Sequence, residues 1–455
     1  MTEMVLLGAG ASVEAGVPSA YDMTKAIINA FERDPRYKLQ AHVAKFVAGG
    51  LLFQQGIRGL SPLDLGVNVE EFFSAVQLLA VRNELEAAPF VGSWHTMVEE
   101  LDQEGPSSLR LEPLLDVIFE ATRDELLAAF GENPSSLDIG RIDKVLEKAV
   151  KAIVEAAVKG RHASPHSDES LGKAVDEYLS KIVGKWSIKL KSRHPRPDSD
   201  FRQAFQKAVN DSLPRPGEGR VFERAAELMI QTLKQLVWVI APEKVAYLSP
   251  LIERASSGQR VVIASLNYDN CIELAADTTQ VPCETGIRHW SETGTFDISG
   301  DGLYLLKLHG SIDWRKRVIQ GDAQRLPHSV IEQVLSAQVS ADRGEPAVIF
   351  GQRNKLTADG PFLALLRALE QALAESDLLT IIGYSFRDDH INTFTSRWLN
   401  QSSDHCLRVI DPHFDTSSVE YVEQLRELRR GSPLRVQVIQ KHAGEAISDL
   451  YGGSA

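Results

Sequence analysis

Apolar and polar positions follow two different patterns in this chain, and the patterns fall in different regions. Met4 to Gly8 is a short, nearly continuous apolar run that breaks into a Gly-rich turn at Gly8–Pro18, which predicts a buried strand entering a loop. From about Tyr21 the apolar residues Met23, Ile27, Ala30 and Phe31 recur at helical spacing. The region after it reads almost entirely helical. Val69–Arg82 opens its first turn with acidic residues, as helices favour. In Ile142–Val158, Ile142, Val145, Leu146, Ala149, Ile153 and Ala156 share one face, with Lys and Glu elsewhere. Such a stripe suits packing inside its own domain or assembly with a second copy. Pro- and Gly-rich stretches at Ser192–Asp200 and Leu213–Gly219 read as loops.

From Val261 onward, short β-branched runs alternate with helical patterns: Val261–Leu266, Leu303–Leu308, Ala347–Phe350, Leu378–Tyr384, Leu407–Ile410 and Leu434–Ile439. Near-continuous apolar strands separated by helices predict a parallel sheet covered on both faces. The strand at Met4–Gly8 has no partner nearby in sequence and must join this later sheet. The expected fold is therefore α/β, a Rossmann-like parallel sheet with helices on both faces, split in sequence by a large helical insertion. Residues 1–68 and 243–455 would form the Rossmann-like domain and residues 69–242 the insertion. No internal repeat is apparent.

Composition narrows the function classes. Of 455 residues, 43% are hydrophobic and 24% charged, values typical of a globular chain that buries a core. The formal net charge is −13, and basic residues cluster only in short pieces such as Arg315–Lys316–Arg317. Direct nucleic-acid binding is therefore not expected, since gripping a phosphate backbone calls for a basic face. The three cysteines, Cys271, Cys283 and Cys406, form no CxxC pair, so neither a disulfide framework nor a zinc ribbon is expected. The N-terminus lacks the basic n-region of a signal peptide and no run is long enough to span a membrane, which suits a reducing, cytoplasmic setting.

Candidate chemistry gathers at the predicted strand ends, the edge where open α/β sheets bind ligands. GAGASVEAGVP, from Gly8 to Pro18, follows the first strand; its backbone N–H groups could cradle a phosphate, or it could be a plain tight turn. Its spacing is not GxGxxG, because Val13 stands where the third glycine would be. Asn267 and Asp269 of LNYD follow the next strand and suit either ribose binding or an Asx turn that caps a helix. His309 in KLHGS can act as a base near neutral pH, although a lone histidine there is more often structural. Gly383 and Ser385 of GYSF form another strand-end turn. Asp411 of VIDP sits at a strand tip, where a carboxylate can accept both hydroxyls of a ribose.

The ordered set GAGASVEAGVP, LNYD, KLHGS, GYSF and VIDP resembles the sirtuin (silent information regulator) superfamily, and within it the sirtuin-like NAD-hydrolysing effectors of bacterial antiviral defence. NVEEFF resembles a Glu-containing helix of that branch. The motifs cover about Met4–Glu71 and Val261–Pro412, and the insertion carries none. The resemblance implies NAD as substrate, with Gly8, Ala9, Gly10 and Ser12 at the pyrophosphate. It implies Asn267 and His309 as catalytic, Asp269 supporting Asn267, and Gly383, Ser385 and Asp411 at the adenosine half. It also implies a homo-oligomer, or a partner such as a DNA-translocating ATPase or a short Argonaute. The chain departs from deacylating sirtuins in two ways. It lacks their four-cysteine zinc ribbon, and it has Pro18–Ser19–Ala20–Tyr21 in place of a PDFR-type stretch. Both departures favour hydrolysis of NAD over the alternatives, a protein lysine deacylase and a non-catalytic sensor of NAD or ADP-ribose, and no zinc is expected.

Overall fold

The apolar runs are too short for stable helices and too continuous for a half-exposed sheet, and they become strands buried on both faces. In chain order the strands are β1 (Glu3–Leu7), β2 (Arg260–Ser265), β3 (Cys283–Glu284), β4 (Gly302–Lys307), β5 (Gly310–Ile319), β6 (His328–Gln333), β7 (Pro346–Val348), β8 (Leu378–Ile382), β9 (Cys406–Ile410) and β10 (Val436–Ile439). The computed structural model describes residues 2–59, 66–86, 88, 91, 95–103, 220–319, 326, 328–334, 339, 346–349 and 360–453. The helix expected at Ile142–Val158 and the loops expected at Ser192–Asp200 and Leu213–Gly219 lie outside the described residues.

Seven strands pair in the order β10-β9-β8-β1-β2-β4-β3, all parallel, in a Rossmann-like sheet with helices around it. β1 lies at its centre: Val5 faces Ile263 of β2 on one side and Thr380 of β8 on the other. The strand order reverses between β1 and β8. That reversal leaves a crevice beyond the carboxyl ends of the strands, the place where such sheets bind ligands. Met4, Leu6, Ala264, Leu306, Ile381 and Val409 belong to the continuous apolar core formed around the sheet. At the opposite edge, the buried carboxylate of Glu3 joins three strands and two helical segments. It accepts hydrogen bonds from Thr380 Oγ1 at 2.6 Å and Tyr451 Oη at 2.8 Å, and pairs with Arg254 at 2.8 Å and Arg408 at 3.2 Å.

One expected strand belongs elsewhere. The run Ala347–Phe350 contributes β7, which pairs antiparallel with β5 in a separate three-stranded sheet of order β6-β5-β7; Phe350 lies outside the described residues. The cause is Gly310, directly after His309. Its φ of +82° turns the chain out of the parallel sheet, and a Cβ there would lie 2.1 Å from Ala347 O. The pattern did not reveal β5 and β6, because Arg315, Lys316 and Arg317 interrupt the apolar alternation where β5 becomes exposed.

The described residues form two units. The first, Met1–Ile27, Gly50–Ser74 and Glu227–Ala455, contains the parallel sheet and every residue singled out above as a candidate for the site. The second, Ile28–Gly49 and Ala75–Ala226, is held in its described part by buried Phe31, Val43, Val47, Val76 and Phe222. There Phe31 meets Tyr37 edge-on at 6.2 Å, Glu32 pairs with Lys45, and the Arg82 guanidinium lies 5.7 Å from the Phe222 ring centre.

Candidate functional site

The loop after β1 and the turn after β8 interlock through their glycines. Gly8 N donates to Ile382 O at 2.9 Å and Gly10 N to Gly383 O at 2.8 Å. A Cβ on Gly8 would lie 2.5 Å from Tyr384 Cα, and one on Gly383, at φ +62°, would lie 2.3 Å from Ala11 N. These glycines are thus required by the approach of one loop to the other, and the amides of Gly8 and Gly10 are spent on that contact. Ala9 and Gly10 form the exposed skin of the loop, while Ser12 is buried beneath it. Tyr247 Oη ties the loop down from outside by donating to Ala11 O at 2.6 Å.

LNYDNC, the loop after β2, sends each side chain to a different anchor. Asn267 Nδ2 donates to both Gly8 O and Ser12 Oγ at 2.9 Å, and its backbone N–H donates to Ser265 Oγ at 3.1 Å. With both amide hydrogens committed, Asn267 is fixed on the glycine loop and its Oδ1 is left as the acceptor. Asp269 Oδ1 accepts from Cys271 N at 3.0 Å, closing an Asx turn that leads into the helix Cys271–Thr279. Within LNYD, Asp269 therefore forms the Asx turn, and Asn267 bridges to the glycine loop. Asn270 exchanges two hydrogen bonds with the backbone of Val239.

His309, 7% exposed, lies just beyond β4, and its Nε2 is 3.1 Å from Asp388 Oδ2. Asp388 is buried at the start of the helix Asp389–Gln401, and its Oδ1 accepts from His390 N at 3.1 Å. A carboxylate at Nε2 selects the tautomer that carries hydrogen there, so the neutral ring presents Nδ1 as a base. The Tyr268 ring packs against His309 with centres 6.3 Å apart. Its hydroxyl donates to Ile349 O at 2.8 Å and lies 3.3 Å from Glu70 Oε1, in the NVEEFF helix. Burial, reinforced by the charges of Glu70 and Asp388, pushes the Tyr268 phenol far above its ordinary range, so it stays protonated.

The glycine loop is thus in direct contact with both Asn267 and Gly383, and Asn267 is joined to His309 through the neighbouring Tyr268. Gly383 N donates to Ile410 O at 3.0 Å, which sets Asp411 beside the same turn; Asp411 Oδ1 accepts from His413 N at 2.7 Å. Ser385 is exposed on the rim. Asp388, Tyr268, Tyr247 and Lys307 were missed by sequence reasoning. Asp388 stands two residues after GYSF, but nothing in the sequence indicates its contact with a histidine 79 positions away. Lys307 did leave a signal: it is the one charge in the apolar run Leu303–Leu308.

Among the described residues no group of three or more His, Cys, Asp or Glu side chains is arranged to hold a metal ion, and no helix is long and apolar enough to cross a membrane. Residues 261–420 match the model of the SIR2-like domain family, and this supports placement in the sirtuin-like superfamily. No curated protein matches the chain. The matched segment contains Asn267, His309, Gly383, Ser385, Asp388 and Asp411, while the glycine loop and Glu70 fall outside it. A SIR2-like domain fits an NAD-dependent enzyme.

Proposed function

We propose that the chain is an NAD glycohydrolase that cleaves the nicotinamide–ribose bond to give nicotinamide and ADP-ribose. The observation that carries this reading is the coupling of Asn267 to the glycine loop, beside a histidine whose Nε2 is held by Asp388. The dinucleotide would lie across the crevice at the β1–β8 reversal, its pyrophosphate over the exposed Ala9–Gly10 surface and its adenosine half towards Gly383, Ser385 and Asp411. A wall of glycine and alanine lets a phosphate approach closely.

Cleavage of the bond builds oxocarbenium character at the ribose C1′, and the electron pair of the breaking C–N bond leaves with nicotinamide. A cationic pyridinium is already a good leaving group, so no strong acid is needed. Asn267 Oδ1, fixed in direction by the two hydrogen bonds of its amide, orients the ribose or the incoming water. His309 Nδ1 takes the proton as water adds to C1′, and Asp388 stabilises the imidazolium that results. The proton then passes to solvent, so that one water is consumed and one proton released per turnover. A role as an NAD-depleting effector in anti-phage defence, with a self-assembled or partner-bound active form, rests on the resemblance of the motifs.

The test is release of nicotinamide from NAD by the purified chain, with Asn267→Ala and His309→Ala alongside. Both variants should fold and lose activity by about 10²-fold or more. Full turnover by Asn267→Ala would sink the assignment. An acetylated peptide in a parallel reaction separates the deacylase alternative, which would form O-acetyl-ADP-ribose.

A further inference from the structure

A fully buried lysine in an apolar strand is costly and needs a reason. Lys307, the last residue of β4, is 1% exposed. Its Nζ donates to the main-chain carbonyl of Asp269 and lies 3.3 Å from Glu273 Oε1. Its backbone stands two residues before His309, and the carbonyl it grips stands two residues after Asn267. One side chain therefore ties the strand that delivers His309 to the loop that delivers Asn267. The β2–β4 ladder is already complete up to Ser265↔Lys307, so the sheet itself does not need this bond. A charge-assisted hydrogen bond adds what an apolar side chain cannot, a fixed direction.

We infer that Lys307 is a positioning residue of the proposed cleavage, holding the Asn267 loop in register with His309 through the Asp269 carbonyl, with Glu273 as its counter-ion. This inference rests on the NAD-cleaving reading. The groups that face Glu273 are Lys307 from β4, Asp313 from β5, Asp269 from the loop and Cys283 from β3. Burial pushes the Glu273 carboxyl up to about 7, against the pull of Lys307. Its Oε2 is buried with no hydrogen-bond partner among the described residues, which suits a carboxyl that takes up a proton near neutrality. For Lys307, burial works to lower the pKa, but the carboxylates of Glu273, Asp269 and Asp313 outweigh it and keep the ammonium charged.

The experiment compares the full-length wild type with Lys307→Met and Glu273→Gln. It measures kcat and KM for nicotinamide release, with calorimetry giving NAD affinity and the fraction of competent sites. Lys307→Met should lower kcat per competent site about tenfold or more while KM and Kd stay within about threefold, because binding surfaces are untouched. Glu273→Gln should lower kcat about threefold at pH ~8 and match the wild type at pH ~6, where the native carboxyl is already protonated. A merely structural lysine would reduce the number of competent sites and leave kcat per site unchanged, and that result overturns the assignment. Should Lys307→Met fail to fold, Glu273→Gln decides alone: a kcat per competent site equal to that of the wild type at pH ~8 overturns the assignment. A wild type that releases no nicotinamide overturns the NAD-cleaving reading and this assignment with it, whereas an active wild type beside an unaffected Lys307→Met rejects only the role of the lysine.

Discussion

Asp388 determines which nitrogen of His309 is free. With a carboxylate 3.1 Å from Nε2, the ring hydrogen belongs there and Nδ1 keeps its lone pair. Replacing Asp388 by Asn reverses this, because the amide can donate to Nε2 and drive the hydrogen to Nδ1. Asp388→Asn should therefore lower kcat for nicotinamide release by about 10²-fold or more with little change in KM, by the logic of an orienting carboxylate. Equal kcat values would remove Asp388 from the machinery. At this scale the sequence was partly legible. Motif residues could be named one by one, but that Asp269 would close a local turn while Asn267 reached the glycine loop depended on contacts such as Asn267 with Gly8, 259 positions apart. No local pattern encodes a pairing of that separation.

Strands of the parallel sheet, apart from the two-residue edge strand β3, were legible to within one or two residues, because a strand buried on both faces leaves an unbroken apolar run. Of the antiparallel sheet only β7 was read as a strand, and it was assigned to the parallel sheet. The central strand of that sheet passes from the buried Trp314 to the exposed Arg317, so its pattern blurs halfway. The element that separates the two sheets is the turn at Gly310, where positive φ and the nearness of Ala347 O both exclude a side chain. Gly310→Ala should destabilise the fold by about 2 kcal/mol or more, from backbone strain and displacement of β7 together. Gly431→Ala, at a helical position with open space around it, should be neutral or stabilise by up to about 1 kcal/mol. Denaturant midpoints of the two variants give the comparison, and equal losses would remove the special role of Gly310.

Across the whole molecule, the buried ionisable groups make stability depend on pH. Glu273 is raised from an unfolded value near that of an ordinary glutamate to about 7 in the fold, chiefly by burial. Between those values the folded chain holds a proton that the unfolded chain has lost. The contribution of Glu273 is therefore fully present below the unfolded pKa and is lost as pH rises through about 7. Glu273→Gln removes this term, so from pH ~5 to ~7 its stability should fall less, or rise more, than that of the wild type, by at most about 1.4 kcal/mol per pH unit. Parallel stability–pH curves for the two proteins would contradict the carboxyl's raised value. The overall α/β architecture and the insertion of a long segment after the first strand were readable, because an isolated strand at residue 4 must find partners and the next apolar runs begin beyond residue 260.

The central position of β1 also has a consequence for synthesis. Glu3–Leu7 is made well before its neighbours Arg260–Ser265 and Leu378–Ile382, so its ladder closes only after Ile382 has been added. At translation rates of roughly 5–20 residues per second, the first strand waits on the order of 20 to 75 seconds for its second partner. The glycine loop that follows β1 needs the turn at Gly383 for its shape, and Asn267 needs the glycine loop for its aim. A nascent or truncated chain is therefore unable to assemble the pocket, and the chemistry proposed for it is withheld from partial products by the order in which the strands leave the ribosome.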